Sequence, residues 1–201
     1  MTVKPKKRGR PSKSGPNLSQ KMIVDTAKTL MQQQGSVPSI RKLATELGVD
    51  AMAIYYYFSN KEELLETVAI SLVEGIYQPA GLAPWQEELT ELGWSYLTLL
   101  SDYPGLLETL LKMRSSGPAE VFMTRFEQVI SDIGLVGDAK RHAVNLFADY
   151  LHGFAFSVQF TTIEREEKKA IYDGSMSLYL QALSPTATTG CNLTANANAS
   201  V

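Results

Sequence analysis

The sequence predicts an all-α protein made of two units, three short helices at the front of the chain and a larger helical body behind them. Apolar residues recur every three to four positions through most of the 201 residues, which is the period of a helix with one buried face. Glycines and prolines separate these stretches, and none of them alternates between apolar and polar residues as a half-buried strand does. With 44% hydrophobic residues, the chain is long and apolar enough to bury a core.

Charge is distributed unevenly along the chain. Residues 1–61 contain 11 Lys and Arg against 3 Asp and Glu, whereas residues 62–201 contain 8 against 18. This asymmetry predicts that the front binds a polyanion and that the body does not. The single cysteine, Cys191, excludes an intrachain disulfide and fits a reducing, cytoplasmic environment. No membrane span or signal peptide is expected, because the chain has no long apolar run.

Residues 1–17 are predicted to form a flexible basic arm. Six of the ten residues 4–13 are Lys or Arg, and prolines and a glycine interrupt them. Arg8, Gly9 and Arg10 resemble an AT-hook, in which an extended Arg-Gly-Arg lies in a narrow A·T-rich minor groove. The alternative is a solvated tail that contacts phosphates without choosing a sequence. Both interpretations predict salt-dependent affinity for DNA.

A first helix is predicted from Ser19 to Gln34. Ser19 is suited to cap its start, and Gly35 is suited to end it. The apolar residues at helical spacing predict its buried stripe, which comprises Ile23, Ala27, Leu30 and Met31.

Residues 39–61 predict two more helices joined by a tight turn. Ser39 caps the first of them, Gly48 permits the left-handed conformation that ends it, and Asp50 caps the second. This is a helix-turn-helix arrangement, in which the second helix enters the DNA major groove and the first crosses the backbone. The second helix exposes side chains that would be unusual on a surface without a partner. They are Ala51, Met52, Tyr55 and Tyr56.

The body is predicted to consist of helices separated by glycine and proline. A connecting helix begins at Asn60, which forms a capping box with Glu63. Its apolar residues keep helical spacing, which predicts a helix that joins the basic front to the acidic body. Further helices are predicted over residues 85–102, 106–113, 121–132, 138–162 and 164–183. Residues 184–201 are small and polar and are predicted to be disordered.

The stretch GVDAMAIYYYFSNKEEL, residues 48–64, resembles the signature of the TetR family of bacterial transcriptional repressors. It has a Gly-Val turn, a short helix that ends in aromatic residues, and a Lys-Glu-Glu-Leu start of the connecting helix. The match covers residues 18–75, and beyond these only the number and order of helices agree. The resemblance implies a homodimer whose subunits bind DNA through residues 18–66. It also implies that residues 67–183 bind an effector and dimerise.

The resemblance assigns DNA contacts to two helices. Ser39 and Arg41 are the contacts of the first, and the planar fork of Arg41 matches O6 and N7 of guanine. The alternative is a solvated arginine near a phosphate. Ala51 and Met52 stand where many relatives carry polar residues or glycine. This departure favours contact with thymine methyl groups over hydrogen-bonded recognition.

The resemblance assigns backbone contacts to the tyrosine run and to Lys61. Tyr55, Tyr57 and Lys61 correspond to the family's phosphate contacts, and Tyr56 would reach a base or a sugar. The alternative is that the tyrosines belong to the core. Three consecutive helical residues span roughly 200°, however, so they cannot all face inward.

Seven large side chains in the body are candidates for an apolar pocket that binds a small apolar or aromatic effector. Packing in the core is the alternative for each of them. They are Tyr96, Met113, Phe122, Phe126, Phe147, Tyr150 and Phe154. The aromatic face of residues 147–160 and the stripe Ile171, Met176, Leu178, Tyr179 and Leu183 are candidates for the dimer interface.

No catalytic residue, cofactor or metal site is predicted. The chain has no Ser/His/acid motif and no phosphate-binding glycine loop, and His142 and His152 have no carboxylate or cysteine at metal spacing. We therefore expect a repressor that binds a palindromic operator as a homodimer and is released by a small molecule. Two alternatives are an enzyme built on the aromatic pocket and an architectural DNA protein that relies on the basic arm.

Overall fold

A computed structural model describes residues 18–184, which form nine α-helices, one 3-10 turn and no β-strand. The predicted all-α class is therefore confirmed. The predictions for Arg8, Arg10 and Cys191 lie outside the described residues. The helices are α1 (Gln20–Gln34), α2 (Ile40–Leu47), α3 (Ala51–Tyr55), α4 (Lys61–Val73), α5 (Trp85–Asp102), α6 (Leu106–Lys112), α7 (Gly117–Val129), α8 (Gly137–Gln159) and α9 (Arg165–Leu183), with the 3-10 turn at Ser131–Ile133.

Capping side chains set the ends of the first helices. Ser19 accepts a hydrogen bond from the backbone N–H of Met22 at the start of α1, and Ser39 accepts one from that of Lys42 at the start of α2, both at 3.2 Å. Gly48 ends α2 with a φ of 65°, a left-handed conformation that a side chain would disfavour. Because Asp50 then caps α3 at once, the turn between the two helices is short.

A small core holds the first three helices against α4. Ile23, Leu43, Ile54 and Phe58 are at most 1% exposed, and α1 packs against both α2 and α4. Burying each of these side chains contributes about 1.5–3 kcal/mol. Phe58, which follows the tyrosine run, therefore belongs to this core.

The start of α4 differs in detail from the predicted capping box. Asn60 accepts a hydrogen bond from the N–H of Glu63 at 2.8 Å, as expected. The Glu63 carboxylate, however, accepts from the N–H of Ser59 at 2.7 Å, one residue before the cap. The carboxylate lies at the positive end of the helix dipole in either case.

In the body, α5 packs against α7, α8 and α9, and α7 also packs along α4. Gly93 allows this close packing around α5, because a Cβ at this position would lie 2.7 Å from Cζ of Phe147 and would also clash with the Tyr172 hydroxyl. That buried hydroxyl donates to the carbonyl of Thr90 at 2.8 Å, and the Tyr179 hydroxyl donates to that of Ala143 at 2.7 Å.

Two helix boundaries differ from the sequence-based expectation. Helix α7 begins at Gly117 and not near residue 121, because Pro118 lies in its first turn, where a missing N–H costs nothing. Helix α3 ends at Tyr55, so Tyr56 and Tyr57 lie in the turn that follows. The helical geometry assumed for the tyrosine run therefore does not apply to its last two members.

Candidate functional site

The helix-turn-helix exposes an arginine and three large side chains. Met52, Tyr55 and Tyr56 are 71%, 40% and 85% exposed, and Arg41 on α2 is also exposed. Ala51 at the start of α3 is half-buried. The sequence predicts that Ala51, Met52, Tyr55 and Tyr56 face outward, and all of them except Ala51 are exposed.

The polar candidates on this surface retain free donors. Ser39 uses its oxygen to accept from the N–H of Lys42, which leaves its hydroxyl proton available to a phosphate. Arg41 forms no ion pair with any residue of the described part of the chain. Lys61 is exposed at the first position of α4, where the helix dipole also favours an anion.

Tyr57 has a different environment from its two neighbours. Its hydroxyl donates to the carbonyl of Leu18 at 2.5 Å, and its half-buried ring packs against the core and meets the ring of Tyr56 edge-on at 5.3 Å. A phenol has one proton to donate, so the bond to Leu18 uses the donor that a phosphate would need. In this arrangement Tyr57 ties the start of α1 to the turn after α3, and its phosphate contact stays a prediction.

A cavity of about 230 Å³ lies among α4, α5, α6, α7 and α8. Three predicted pocket residues, Tyr96, Met113 and Phe122, line it. The full set of lining residues is Val73, Tyr96, Leu110, Leu111, Met113, Ser115, Pro118, Ala119, Phe122, Met123, Val144, Asn145, Ala148 and His152.

The other four predicted pocket residues do not line this cavity. Phe126 and Phe147 are fully buried and pack against each other with ring centroids 5.7 Å apart. Tyr150 packs between α8 and α9, with its ring 6.3 Å from that of Tyr172. Phe154 borders a second cavity of about 470 Å³ beside Trp94. Helical periodicity identifies buried faces, but it does not distinguish a packed face from one that borders a gap.

The 230 Å³ cavity contains a small number of polar groups. The Ser115 hydroxyl oxygen is buried and has no hydrogen-bond partner among residues 18–184. The Tyr96 hydroxyl lies 3.0 Å from Nε2 of His152. Burial lowers the pKa of His152, an effect that the nearby Asp149 carboxylate partly opposes, and burial raises the pKa of Tyr96. Both shifts favour the uncharged forms near neutral pH.

A buried arginine joins the cavity wall to the connecting helix. Arg125 on α7 is 9% exposed. Its guanidinium donates to four carbonyls at the end of α4 and just after it, those of Val73 at 3.1 Å, Glu74 at 2.7 Å, Ile76 at 2.8 Å and Tyr77 at 3.5 Å. Burial lowers the pKa of this group. Arg125 is not among the residues predicted from the sequence, although a lone arginine within the apolar stretch of α7 is a signal for such a role.

The remaining features concern metals and membranes. Within residues 18–184, no group of three or more His, Cys, Asp or Glu side chains is arranged to hold a metal ion. Across the same residues, no helix combines the length and hydrophobicity that crossing a membrane requires.

Two family models match the chain. The model described as bacterial regulatory proteins, tetR family, matches residues 23–68, which include the whole helix-turn-helix. The model described as tetracyclin repressor-like, C-terminal domain, matches residues 78–192, which is more than half of the chain. The first match ends at residue 68, inside α4, and the second begins at residue 78, in the segment between α4 and α5.

Individual relatives agree with these matches. The HTH-type transcriptional repressor DrrR1 of Streptomyces coeruleorubidus is 27% identical over 169 residues, or 82% of this chain, and the chain spans 62% of that protein's length. Apo ActR of Streptomyces coelicolor superposes with a TM-score of 0.70 at 16% identity, over 86% of this chain and 97% of ActR. BioQ of Mycobacterium smegmatis superposes with a TM-score of 0.69 at 20% identity, over 85% of this chain and 99% of the BioQ chain.

Both structural relatives are too distant in sequence to show more than a common fold. Membership of the family therefore rests on the two family models, which match residues 23–68 and 78–192. The family consists of regulators and not of enzymes. The chain belongs to the TetR family of bacterial transcriptional regulators.

Proposed function

We propose that this protein is a transcriptional repressor that binds a palindromic operator as a homodimer in the cytoplasm and leaves it when a small molecule binds in the body. The observation that carries the proposal is the exposed set Arg41, Met52, Tyr55 and Tyr56. Arg41, Met52 and Tyr55 lie on the two helices that cross the DNA backbone and enter the major groove in helix-turn-helix proteins. Tyr56 lies in the turn directly after the second helix. The BioQ structures include one with its double-stranded DNA operator.

The contacts on each half-site divide into two kinds. Ser39, Tyr55 and Lys61 offer donors for phosphates, which fix the position of the protein without selecting a sequence. Arg41 offers a bidentate fork for guanine, and Met52 offers apolar contact for a thymine methyl group. Sequence selection would therefore depend more on Arg41 and methyl contacts than on hydrogen bonds from α3.

Exposed apolar side chains on α8 and α9 support the homodimer. Leu146 and Phe156 on α8 and Phe160 directly after it are 59–73% exposed, and Ile171 and Leu178 on α9 are 47% and 70% exposed. Ile171 and Leu178 are two helical turns apart and share a face of α9. Exposed large apolar residues on adjacent elements favour a self-complementary interface. A dimer of this kind would hold two α3 helices about 34–36 Å apart, one helical turn of DNA.

The path from cavity to DNA runs through α4. This helix starts at Lys61 beside the proposed phosphate contact, and Val73 at its end lines the 230 Å³ cavity. Lys28 of α1 binds Ser71 of α4, so a shift of α4 would also move the DNA-binding helices. An effector that binds more tightly to a conformation with α4 in a different position would shift the protein toward that conformation and so release it from DNA. ActR structures have been solved with actinorhodin and with (S)-DNPA.

Operator binding tests the proposal. We expect the protein to bind DNA from its own upstream region in a fluorescence anisotropy titration, and we expect Arg41→Ala to weaken the binding at least about 10-fold, through the loss of one bidentate base contact. Arg114→Ala is the matched control, because Arg114 is an exposed arginine in the body. Absence of binding, or equal effects of the two substitutions, would contradict the proposal.

The same titration separates the proposal from an architectural role of the basic arm. Deletion of residues 1–16 should weaken binding and reduce its salt dependence, because the arm neutralises phosphates. It should leave the preference for the operator over unrelated DNA of equal length intact. An architectural protein would instead lose binding altogether.

A further inference from the structure

We infer that the 230 Å³ cavity takes an uncharged molecule of one or two rings bearing a hydroxyl or keto group, and that Ser115 and the Tyr96–His152 pair recognise this polar group. The inference rests on the proposed function, because it names the class of molecule that would release the operator. It is carried by the volume of the cavity, the charges of its lining and one unpaired hydroxyl.

The volume of the cavity limits the size of the molecule. A protein cavity of roughly 150 Å³ holds benzene, and this one measures about 230 Å³. Two aromatic rings, those of Tyr96 and Phe122, form part of its wall, with centroids 5.0 Å apart and an interplanar angle of 54°. Aromatic faces and edges at this tilt favour a flat aromatic molecule beside them.

The lining residues exclude a charged molecule. None of them is Lys, Arg, Asp or Glu, and burial lowers the pKa of His152, which favours its neutral form. A carboxylate or an ammonium group would lose its hydration on entry without gaining an opposite charge. The second cavity differs in this respect, since Asp102, Arg165 and Lys168 line it.

Ser115 supplies the first polar contact. Its hydroxyl is buried, has no partner in the described part of the chain and belongs to the cavity lining. A buried hydroxyl without a hydrogen bond is destabilising, and a hydroxyl both donates and accepts. A ligand hydroxyl or carbonyl oxygen would therefore satisfy a group that the protein itself leaves unsatisfied.

The Tyr96–His152 pair supplies the second polar contact. When Nε2 of His152 is unprotonated, the Tyr96 hydroxyl donates to it and the phenol oxygen can still accept from a ligand hydroxyl. When Nε2 carries the proton, it donates to the phenol oxygen, and the hydroxyl of Tyr96 is free to donate to a ligand carbonyl. The two neutral tautomers thus allow the pair to accept either kind of polar group.

Three matched probes test the inference: 2-naphthol, naphthalene and 2-naphthoate. We would titrate each into the full chain by calorimetry and confirm binding by the rise in melting temperature. We expect 2-naphthol to bind at least about 10-fold more tightly than the other two, because one hydrogen bond to a buried group is worth about this factor. Ser115→Ala should remove this advantage and leave the affinity for naphthalene unchanged.

Ser116→Ala is the control for the serine substitution. Ser116 is the next residue, is exposed, and directs its hydroxyl to the Glu120 carboxylate and not into the cavity. The Ser116→Ala variant should retain the preference for 2-naphthol over naphthalene. The affinity of Ser115→Ala for naphthalene shows in the same experiment that this variant still forms the cavity.

Four results would overturn the inference: equal affinity for 2-naphthol and naphthalene, tighter binding of 2-naphthoate, equal behaviour of the two serine variants, or no binding of any probe below ~1 mM. Operator binding by the unliganded protein is measured separately. Its absence, with selectivity for 2-naphthol intact, would refute the proposed function and leave the recognition by Ser115 standing.

Discussion

The hydroxyls of Tyr55 and Tyr57 are predicted to have separate roles although the two residues are close in sequence. The Tyr57 hydroxyl is bonded to the carbonyl of Leu18, whereas Tyr55 is 40% exposed. Tyr57→Phe should therefore lower the free energy of unfolding by about 1 kcal/mol, the net value of one hydrogen bond, and should change operator affinity little. Urea unfolding and anisotropy titrations measure the two effects.

Tyr55→Phe is the matched control for this substitution. It should weaken operator binding through the loss of a phosphate contact and leave the unfolding midpoint almost unchanged. If Tyr57→Phe weakens DNA binding without altering stability, the phosphate contact implied by the family resemblance is correct, and the bond to Leu18 does not persist on DNA.

His152 should make stability depend on pH. Burial lowers its pKa in the folded protein below the ordinary value, so the unfolded chain takes up the proton first as the pH falls. The stabilisation is therefore complete above the unfolded pKa, about 6.5, and is lost as the pH falls from there through the folded pKa. Urea unfolding between about pH 5 and pH 8 would measure this slope.

Two substitutions test whether His152 causes this pH dependence of stability. His152→Gln removes the titrating group and should flatten the pH dependence. His142→Gln, at an exposed position of the same helix, should retain it. Equal slopes in the two variants would show that other groups control stability in this range.

At the scale of elements, Arg125 fixes the end of α4 to α7. Arg125→Met would leave the carbonyls of Val73, Glu74 and Ile76 without this donor, and hydrogen bonds from a charged group contribute more than neutral ones. We expect the free energy of unfolding to fall by at least about 2 kcal/mol. Arg125→Lys should be intermediate, because a lysine keeps the charge but not the planar fork.

Arg141→Met is the control for Arg125→Met. Arg141 forms an exposed ion pair with Asp138, and pairs of this kind contribute about 0–1 kcal/mol. Urea denaturation measures all three variants under the same conditions. An effect of Arg125→Met no larger than that of Arg141→Met would show that α4 is held by packing alone.

Most element boundaries were predictable because local chemistry sets them. Ser19, Ser39 and Asp50 cap helices where a capping residue precedes an apolar pattern, and Gly48 ends α2 where a left-handed conformation is needed. These signals involve residues within four positions of each other, so a single sequence contains all of the required information. The helix-turn-helix and its exposed side chains followed from them.

The cavity was less predictable because it depends on contacts between distant segments. Phe122 and Phe126 are one helical turn apart on α7, yet Phe122 lines the cavity and Phe126 is fully packed. Periodicity assigns both to the buried face. Likewise, the bonds from Arg125 to α4 and from Tyr57 to Leu18 join residues 39–52 positions apart, so no local pattern indicates them.

Helix α4 connects the predicted DNA-binding helices to the predicted effector cavity. Helix α4 runs without a break from Lys61 to Val73, across the expected domain boundary between residues 66 and 67, which stays a proposal. Lys28 of α1 holds it on one side, and Arg125 of α7 holds it on the other. Lys28 bonds to the last turn of α4, and Arg125 bonds to Val73 and to the residues just after it. We therefore expect a displacement of α7 by a ligand to move the DNA-binding helices without unfolding of α4.

Dimer formation determines how strongly this molecule can bind a palindromic operator. Leu178 is 70% exposed on α9 and lies within the proposed interface, where a glutamate would be desolvated without a partner. Leu178→Glu should therefore be monomeric at concentrations at which the unmodified protein is a dimer, as measured by analytical ultracentrifugation. Linking two half-site contacts raises avidity by about 10²–10⁴, so operator affinity should fall by a comparable factor while each half-site is still recognised.

The matched control for the interface is Leu82→Glu. Leu82 is 91% exposed in the loop before α5, outside the α8–α9 surface, so the same substitution there should leave both the dimer and operator affinity intact. If Leu178→Glu remains dimeric and binds the operator normally, the interface lies elsewhere on the chain. If instead it becomes monomeric but keeps full operator affinity, the homodimer is not the DNA-binding unit, because the avidity that a palindrome provides would then be absent.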